Sequence, residues 1–174
     1  MNRFVCLALA CNLTLLAGDA LAQASQRIRG TITAVDGNVL QVKSRSGEDL
    51  RLQLADNLTV AVARPVRFED LKPGDYVGSA AMKRPDGTLV ALEVHYLAAA
   101  VPEGHTPWDL QPGSTMTNAY VSSAMVQSAG ARELVLKHKD GEQRILVPDG
   151  VPIVRTVPGG RGDLAVGEYI FAAA

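Results

Sequence analysis

Apolar and polar residues alternate along most of the chain, and this period of two predicts β-strands. The clearest case is the segment from Leu50 to Leu54, in which three leucines alternate with Arg51 and Gln53. Between two such segments lies Asp36-Gly37-Asn38, a composition typical of a tight hairpin turn, because glycine reaches positive φ without strain. Strands this short, separated by turns every roughly eight to twelve residues, favour a small barrel or sandwich.

The same pattern places the strands along the whole chain. In the first half we expect strands near residues 28–34, 40–42, 50–54, 58–62, 76–82 and 89–97, with one helical turn at 68–71. In the second half we expect strands near residues 119–127, 133–137, 143–147, 152–157 and 169–171. No long amphipathic helix is predicted between them.

Two motifs recur along the chain. Leu71–Val77 resembles Leu164–Ile170, and Val42–Glu48 resembles Leu136–Glu142, in both cases at a spacing of about 93 or 94 residues. This recurrence predicts one small β-unit that is used twice. The predicted organisation is a signal peptide at 1–24, a first unit at 25–100, a linker rich in proline and glycine at 101–115, and a shortened second unit at 116–174.

The predicted fold class is therefore all-β. The two units are expected to form two tandem small barrels of the OB kind, or one composite β-barrel or sandwich. The second unit has no counterpart of the last hairpin of the first, so an open sheet edge is predicted there. We expect either the linker or the strand near 89–97 to cover that edge.

The N-terminal segment has the pattern of a secretory signal peptide. Arg3 precedes an apolar stretch at 4–17, and small residues at 20–24 are typical of a cleavage site. The chain has only two cysteines, Cys6 and Cys11, and both lie in this segment, so the exported protein would contain no thiol. Periplasmic or secreted localisation is predicted, with an uncleaved membrane anchor as the alternative. No later apolar run is long enough to predict a membrane span.

Composition limits the candidate functions. The chain is 47% hydrophobic but only 5% aromatic, so its core must consist mainly of aliphatic side chains. A formal net charge of −1, with no run of lysine and arginine, argues against a nucleic-acid partner, since such binding needs a basic face.

Two sets of residues carry a family resemblance. The pattern from Gly30 to Val42, followed by Leu71-x-Pro73-Gly74-Asp75-x-Val77, resembles an uncharacterised bacterial domain family of small exported β-proteins. The segments 107–110 (PWDL) and 114–119 (STMTNA) are similar to a proteobacterial subgroup of that family. The resemblance covers about residues 27–174 and implies an extracytoplasmic β-barrel without established catalytic or binding residues. Some relatives carry names that imply metal-transport permeases, a function that a chain without spans does not suit.

The linker is the main candidate for a contact site. It holds the only tryptophan, Trp108, beside His105 and Asp109. Such a loop either caps a ligand cleft or holds the two units together. With Tyr96 and Tyr120 these residues form the predicted contact surface. The acids of Gly74-Asp75-Tyr76 and Gly167-Glu168-Tyr169 are interpreted as turn residues rather than as a catalytic pair.

Enzymatic activity is not predicted, and no cofactor is expected. Ser114, His105 and Asp109 are near in sequence, but no nucleophile elbow surrounds Ser114. The predicted function is an exported, non-enzymatic binding or interaction module for an unknown protein or small ligand of the cell envelope. The alternative is a periplasmic copper or zinc protein that uses histidine and methionine ligands, although His95, His105 and His138 lack the usual ligand spacing.

Overall fold

The computed structural model describes residues 26–126 and 132–173, and the structural statements that follow refer to those residues. The predicted signal peptide with its two cysteines, and position 127 at the end of a predicted strand, lie outside them. The strands are β1 (Arg27–Asp36), β2 (Val39–Ser44), β3 (Asp49–Gln53), β4 (Val60–Pro65), β5 (Tyr76–Lys83), β6 (Leu89–Tyr96), β7 (Gly104–Pro107), β8 (Ser114–Val126), β9 (Arg132–His138), β10 (Gly141–Leu146), β11 (Ile153–Gly159) and β12 (Tyr169–Ala173). Two single turns of 3-10 helix lie at Phe68–Asp70 and Arg161–Asp163.

Five strands form a closed barrel in the order β10-β9-β8-β5-β6. The barrel closes because β6 pairs in parallel with β10, where Leu89 lies opposite Ile145. The other neighbouring pairs in the barrel are antiparallel. Its interior is aliphatic, as the composition predicts, and includes the fully buried Val77, Val94, Leu134 and Leu136.

Four strands form a second sheet, in the order β12-β1-β2-β3, which we call the half-barrel. Its inner face is built on the buried Ile32, Leu40 and Val42. Half-buried side chains from both ends of the sheet pack on these three, namely Leu50, Leu52 and Leu54 on the β3 side and Leu164 and Ile170 on the β12 side. Because residues of β3 and β12 meet in one apolar cluster, the sheet is curved around its own interior.

The half-barrel repeats four strands of the closed barrel in order, direction and register. Leu52 pairs with Leu40 as Ile145 pairs with Leu134. A β-bulge interrupts β1 between Ile32 and Ala34 and interrupts β8 between Val121 and Ser123. Equivalent backbone hydrogen bonds lie at the ends of the β5–β8 and β12–β1 pairs. The Gly74 N–H donates to the Val121 carbonyl, and the Gly167 N–H donates to the Ile32 carbonyl. The arc β12-β1-β2-β3 thus matches the arc β5-β8-β9-β10.

The two sheets exchange strands between the halves of the chain. The late strand β12 pairs with β1, and the early strand β5 pairs with β8. Between the sheets, β4 and β11 form an antiparallel ribbon in which Ala63 lies opposite Thr156. The ribbon is joined to the closed barrel where Ile153 and Val154 pair in parallel with Val94 and His95 of β6.

The prediction of an all-β barrel fold is confirmed. Of the two arrangements expected, the composite one describes the strand pairing, because each sheet contains strands from both halves of the chain. The strand at 89–96 lies against β10 of the second half and closes the barrel there. Among the described strands, the open edges of the half-barrel belong to β3 and β12.

Candidate functional site

The predicted contact residues Tyr96 and Tyr120 lie at one end of the closed barrel. The Tyr120 ring packs on Tyr76 with 4.8 Å between the ring centroids. The Tyr96 hydroxyl donates to Oδ2 of Asp75 at 2.8 Å, and the guanidinium of Arg155 lies 4.0 Å from the Tyr96 ring centroid. Burial, followed by the hydrogen bond to Asp75, raises the pKa of Tyr96 above its ordinary value. Both tyrosines are thus already engaged by neighbours within the fold.

His105 lies on β7, which the sequence had placed in a linker. Its Nδ1 is 2.8 Å from the Thr117 hydroxyl on β8. Burial, with a smaller effect from the nearby His138, lowers the pKa of His105 below 6.5. His138 is 8% exposed, and within the described residues its Nε2 is buried without a hydrogen-bond partner. The two imidazoles are therefore close enough for the charge of one to disfavour protonation of the other.

The described residues can be compared with the ligand sets of known metal sites. No group of three or more histidine, cysteine, aspartate or glutamate side chains in the described ranges is arranged to hold a metal ion. Structural and catalytic zinc sites use three or four protein ligands. The copper or zinc alternative, which also uses methionine ligands, stays a prediction.

Trp108 and Asp109 lie near Ser114 at the start of β8 and contact the half-barrel. The guanidinium groups of Arg27 and Arg29 lie 4.6 and 5.8 Å from the centroid of the Trp108 ring. The two oxygens of Asp109 accept hydrogen bonds from the Arg29 guanidinium at 3.1 and 3.2 Å. The carbonyl of Leu110 accepts a further bond from Arg45. The hydrogen bonds from Arg29 hold the pKa of Asp109 below 3.8.

The five predicted contact residues therefore do not form one site. Tyr120 pairs with Tyr76 near one end of the β5–β8 ladder, and Trp108 lies beside Ser114 at the other. Ser114 and Tyr120 are six positions apart on β8, which is roughly 20 Å along a strand. The sequence analysis did not predict the arginines that contact these residues, Arg27, Arg29 and Arg155. In the sequence they are distinguished only as polar residues of alternating segments.

The apolar inside of the half-barrel is incompletely covered. Leu50, Leu52 and Leu54 of the β3 side remain half-buried, as do Leu164 and Ile170 across the interior. On the outer side of β12, Tyr169 is 59% and Phe171 is 58% exposed. Large exposed apolar groups in a contiguous patch mark interaction surfaces. Tyr169 and Phe171 form such a pair on the outer face of this edge strand.

The closed barrel shows what covers the equivalent surface. Ile145, the counterpart of Leu52, is fully buried because β6 lies beside it. Three side chains of β6 are buried there, Leu89, Ala91 and Val94. The half-barrel has no strand in the position of β6 among the described residues.

By comparison with the closed barrel, a strand in that position would meet three edges that are unpaired among the described strands. They are the outer edges of β12 and β3 and, on the ribbon, the edge of β4 at Val60 and Ala61. Val60 corresponds to Ile153, which pairs with β6 in the closed barrel. A cleft of about 470 Å³ lies at the same end of the ribbon, lined by residues 58–61 and 156–159. The backbone groups on these edges can accept a further strand.

A comparison with protein-family models, curated proteins and solved structures finds no match to this chain. The family resemblance drawn from the sequence therefore remains a prediction. Within residues 26–126 and 132–173, no helix is long and apolar enough to cross a membrane.

Proposed function

We propose that this protein is an exported, non-enzymatic binding module of the cell envelope and that the half-barrel is its binding surface. The observation that carries the proposal is the difference between two matching arcs of strands. In one arc the aliphatic interior is covered by β6, and in the other the leucines of β3 are only partly buried and no further strand pairs with the edge of β3 among the described residues. Surface of this kind is stabilised by association, because burying apolar area contributes about 25 cal/mol per Å².

Several features favour binding over catalysis. The predicted His105 and Asp109 lie in different environments, and Asp109 is held by Arg29. Ser114 donates its hydroxyl proton to backbone carbonyls in its own turn, at 2.7 Å to Gln111 and 3.0 Å to Trp108. A nucleophile needs a base within hydrogen-bond reach, and Ser114 is instead a turn residue in this arrangement.

The linker is assigned a structural role in this proposal. Of the two roles expected for it, the contacts of Trp108 and Asp109 favour holding the parts together. Trp108 follows β7, which pairs with β8 of the closed barrel, and its ring packs on arginines of β1 in the half-barrel. These contacts leave the interior of the half-barrel, on the other face of the sheet, free to bind.

The test compares positions on the two barrels. A photo-crosslinking amino acid is placed at Phe171 beside the open edge, and in a separate variant at Lys139, an exposed turn residue of the closed barrel. In the producing cell, irradiation should give a discrete adduct from position 171 and none from position 139. Adding Leu52→Glu should remove the adduct. Equal labelling at both positions, or none at either, would contradict the proposal.

The metal-binding alternative has one feature in its favour, the electrostatic effect of His138 on the pKa of His105. Titration of the purified protein with Cu(I) and Zn(II) under chelator competition separates the two functions. Stoichiometric binding at micromolar affinity or tighter, lost in His105→Ala, would favour the metal protein over the binding module.

A further inference from the structure

We infer that the ligand of the half-barrel is a single extended β-strand from another polypeptide, which takes the position that β6 takes in the closed barrel. This inference rests on the proposed function and names the class of partner. The internal comparison gives its direction. Since β6 runs antiparallel to β5 and parallel to β10, the bound strand runs antiparallel to β12 and parallel to β3.

The register of the bound strand follows from the same comparison. In the closed barrel Leu89 and Val90 of β6 lie opposite Ile145 and Leu146 of β10. The half-barrel counterparts of Ile145 and Leu146 are Leu52 and Gln53. At its other end, β6 places Val94 opposite Ser79 of β5 and Ile153 of β11. The corresponding half-barrel positions are Ala172 on β12 and Val60 on β4.

The side chains of the strand are constrained by the interior that it covers. In β6 the buried residues are Leu89 at 7%, Ala91 at 3% and Val94 at 0% exposure. The half-barrel interior is wholly aliphatic around the same positions, with Leu52, Leu54 and Ile170 in place of Ile145, Val147 and Val77. The bound strand therefore needs aliphatic residues at its inward positions. A charged residue there would be buried without a partner.

A second folded copy of this protein does not meet these requirements. A strand bound in this position would pair with β12 on one side and with β3 on the other. Both of its edges must therefore be unpaired before it binds. Each of the twelve strands described here is already paired with at least one neighbour. A segment that is extended and unpaired before binding meets the requirement, and strand addition of this kind is an established mode of peptide recognition.

The test uses a labelled peptide with the sequence of residues 88–97, which contains β6 itself. Saturable binding to the purified protein is expected, measured by fluorescence anisotropy. A scrambled peptide of the same composition should bind at least tenfold more weakly. Leu52→Glu should weaken binding at least tenfold, and Arg51→Glu, on the solvent side of the same strand, should leave it unchanged. If Leu52→Glu does not fold, Leu50→Asn replaces it.

Disulfide trapping tests the register. Leu52→Cys is made in a background with Cys6→Ser and Cys11→Ser. A peptide that carries cysteine in place of Leu89 should crosslink to it, and one that carries cysteine in place of Val90 should not. Crosslinking that is the same at both peptide positions would overturn the inference.

The remaining outcomes are also decisive. Absence of peptide binding, with the crosslink at position 171 intact, would overturn strand addition and leave the binding module in place. A concentration-dependent dimer that Leu52→Glu dissolves, seen by sedimentation, would make a second copy the occupant and overturn the inference. Loss of the position-171 crosslink is a failure of the proposed function itself.

Discussion

Leu52 on β3 occupies the position that Ile145 occupies on β10, yet Ile145 is fully buried beside Leu89 and Leu52 is only partly buried. The two side chains have the same cross-strand environment, because each faces a buried leucine of the neighbouring strand. Their difference in exposure therefore measures what one additional strand contributes to the interior.

This pair gives the first stability prediction. Ile145→Ala should lower the free energy of unfolding by about 2–5 kcal/mol, because it leaves a cavity in a closed core. Leu52→Ala should lower it by about 1 kcal/mol, because that side chain is only partly buried and leaves a smaller cavity. Urea unfolding of the two variants measures both values. Equal losses would mean that the half-barrel interior is as closed as the barrel.

Trp108 gives the second prediction. A fully buried indole would make Trp108→Ala cost about 3–5 kcal/mol. The ring is only half-buried but packs on Arg27 and Arg29, so we expect a loss of about 1–3 kcal/mol. Among the described residues its Nε1 is buried without a partner, so Trp108→Phe should be close to neutral. If Trp108→Phe is as damaging as Trp108→Ala, the indole N–H has a partner in solution.

Two close-packed glycines give the third prediction. A Cβ on Gly78 would lie 2.8 Å from Nε2 of His95, the end of a side chain. A Cβ on Gly30 would overlap the backbone carbonyl of Lys43, which cannot move without breaking the sheet. We expect Gly30→Ala to prevent folding, and Gly78→Ala to be destabilising but partly rescued by His95→Ala. A thermal unfolding series of the single and double variants checks this, and absence of rescue would place the strain elsewhere.

The histidines give a prediction on pH. Burial lowers the pKa of His95 and of His105 below the ordinary value of 6.5. The unfolded chain therefore binds protons at these sites more readily than the folded one, and stability decreases as the pH falls from 6.5 towards the folded pKa values. Urea unfolding at pH 7.5 and 5.5 should show this decrease, and His95→Gln should make it smaller. A stability that is unchanged over this range would contradict the prediction.

The local structure was largely predictable from the sequence. Alternation located the strands because a sheet with one wet face imposes a period of two on the chain. The turn at Asp36–Asn38 forms between β1 and β2, and Gly37 there has a φ of 55°. The predicted helical turn near Phe68 is one turn of 3-10 helix with Phe68 buried. Each of these features depends on residues close in sequence.

The pairing between distant strands was not predictable in the same way. Nothing in the composition of Tyr76–Lys83 distinguishes β8 as its partner from β1, since both candidates present the same alternation. β7 was also missed, because Pro102 and Gly104 mark the region as a linker and a strand of four residues is too short to show a period. The proposed binding surface could therefore not be predicted from the sequence. It exists because β6 pairs with β5 and β10 of the closed barrel and not with strands of the half-barrel.

The exchange of strands between the halves also limits how this protein can be synthesised and folded. β1 is made first but obtains one of its two neighbours only when β12, the last strand described, has emerged. If the chain folds progressively as it is synthesised, β1 has an unpaired edge until β12 is available. Because pairing of such distant segments makes folding slow, a chaperone that shields this first strand would benefit the nascent chain.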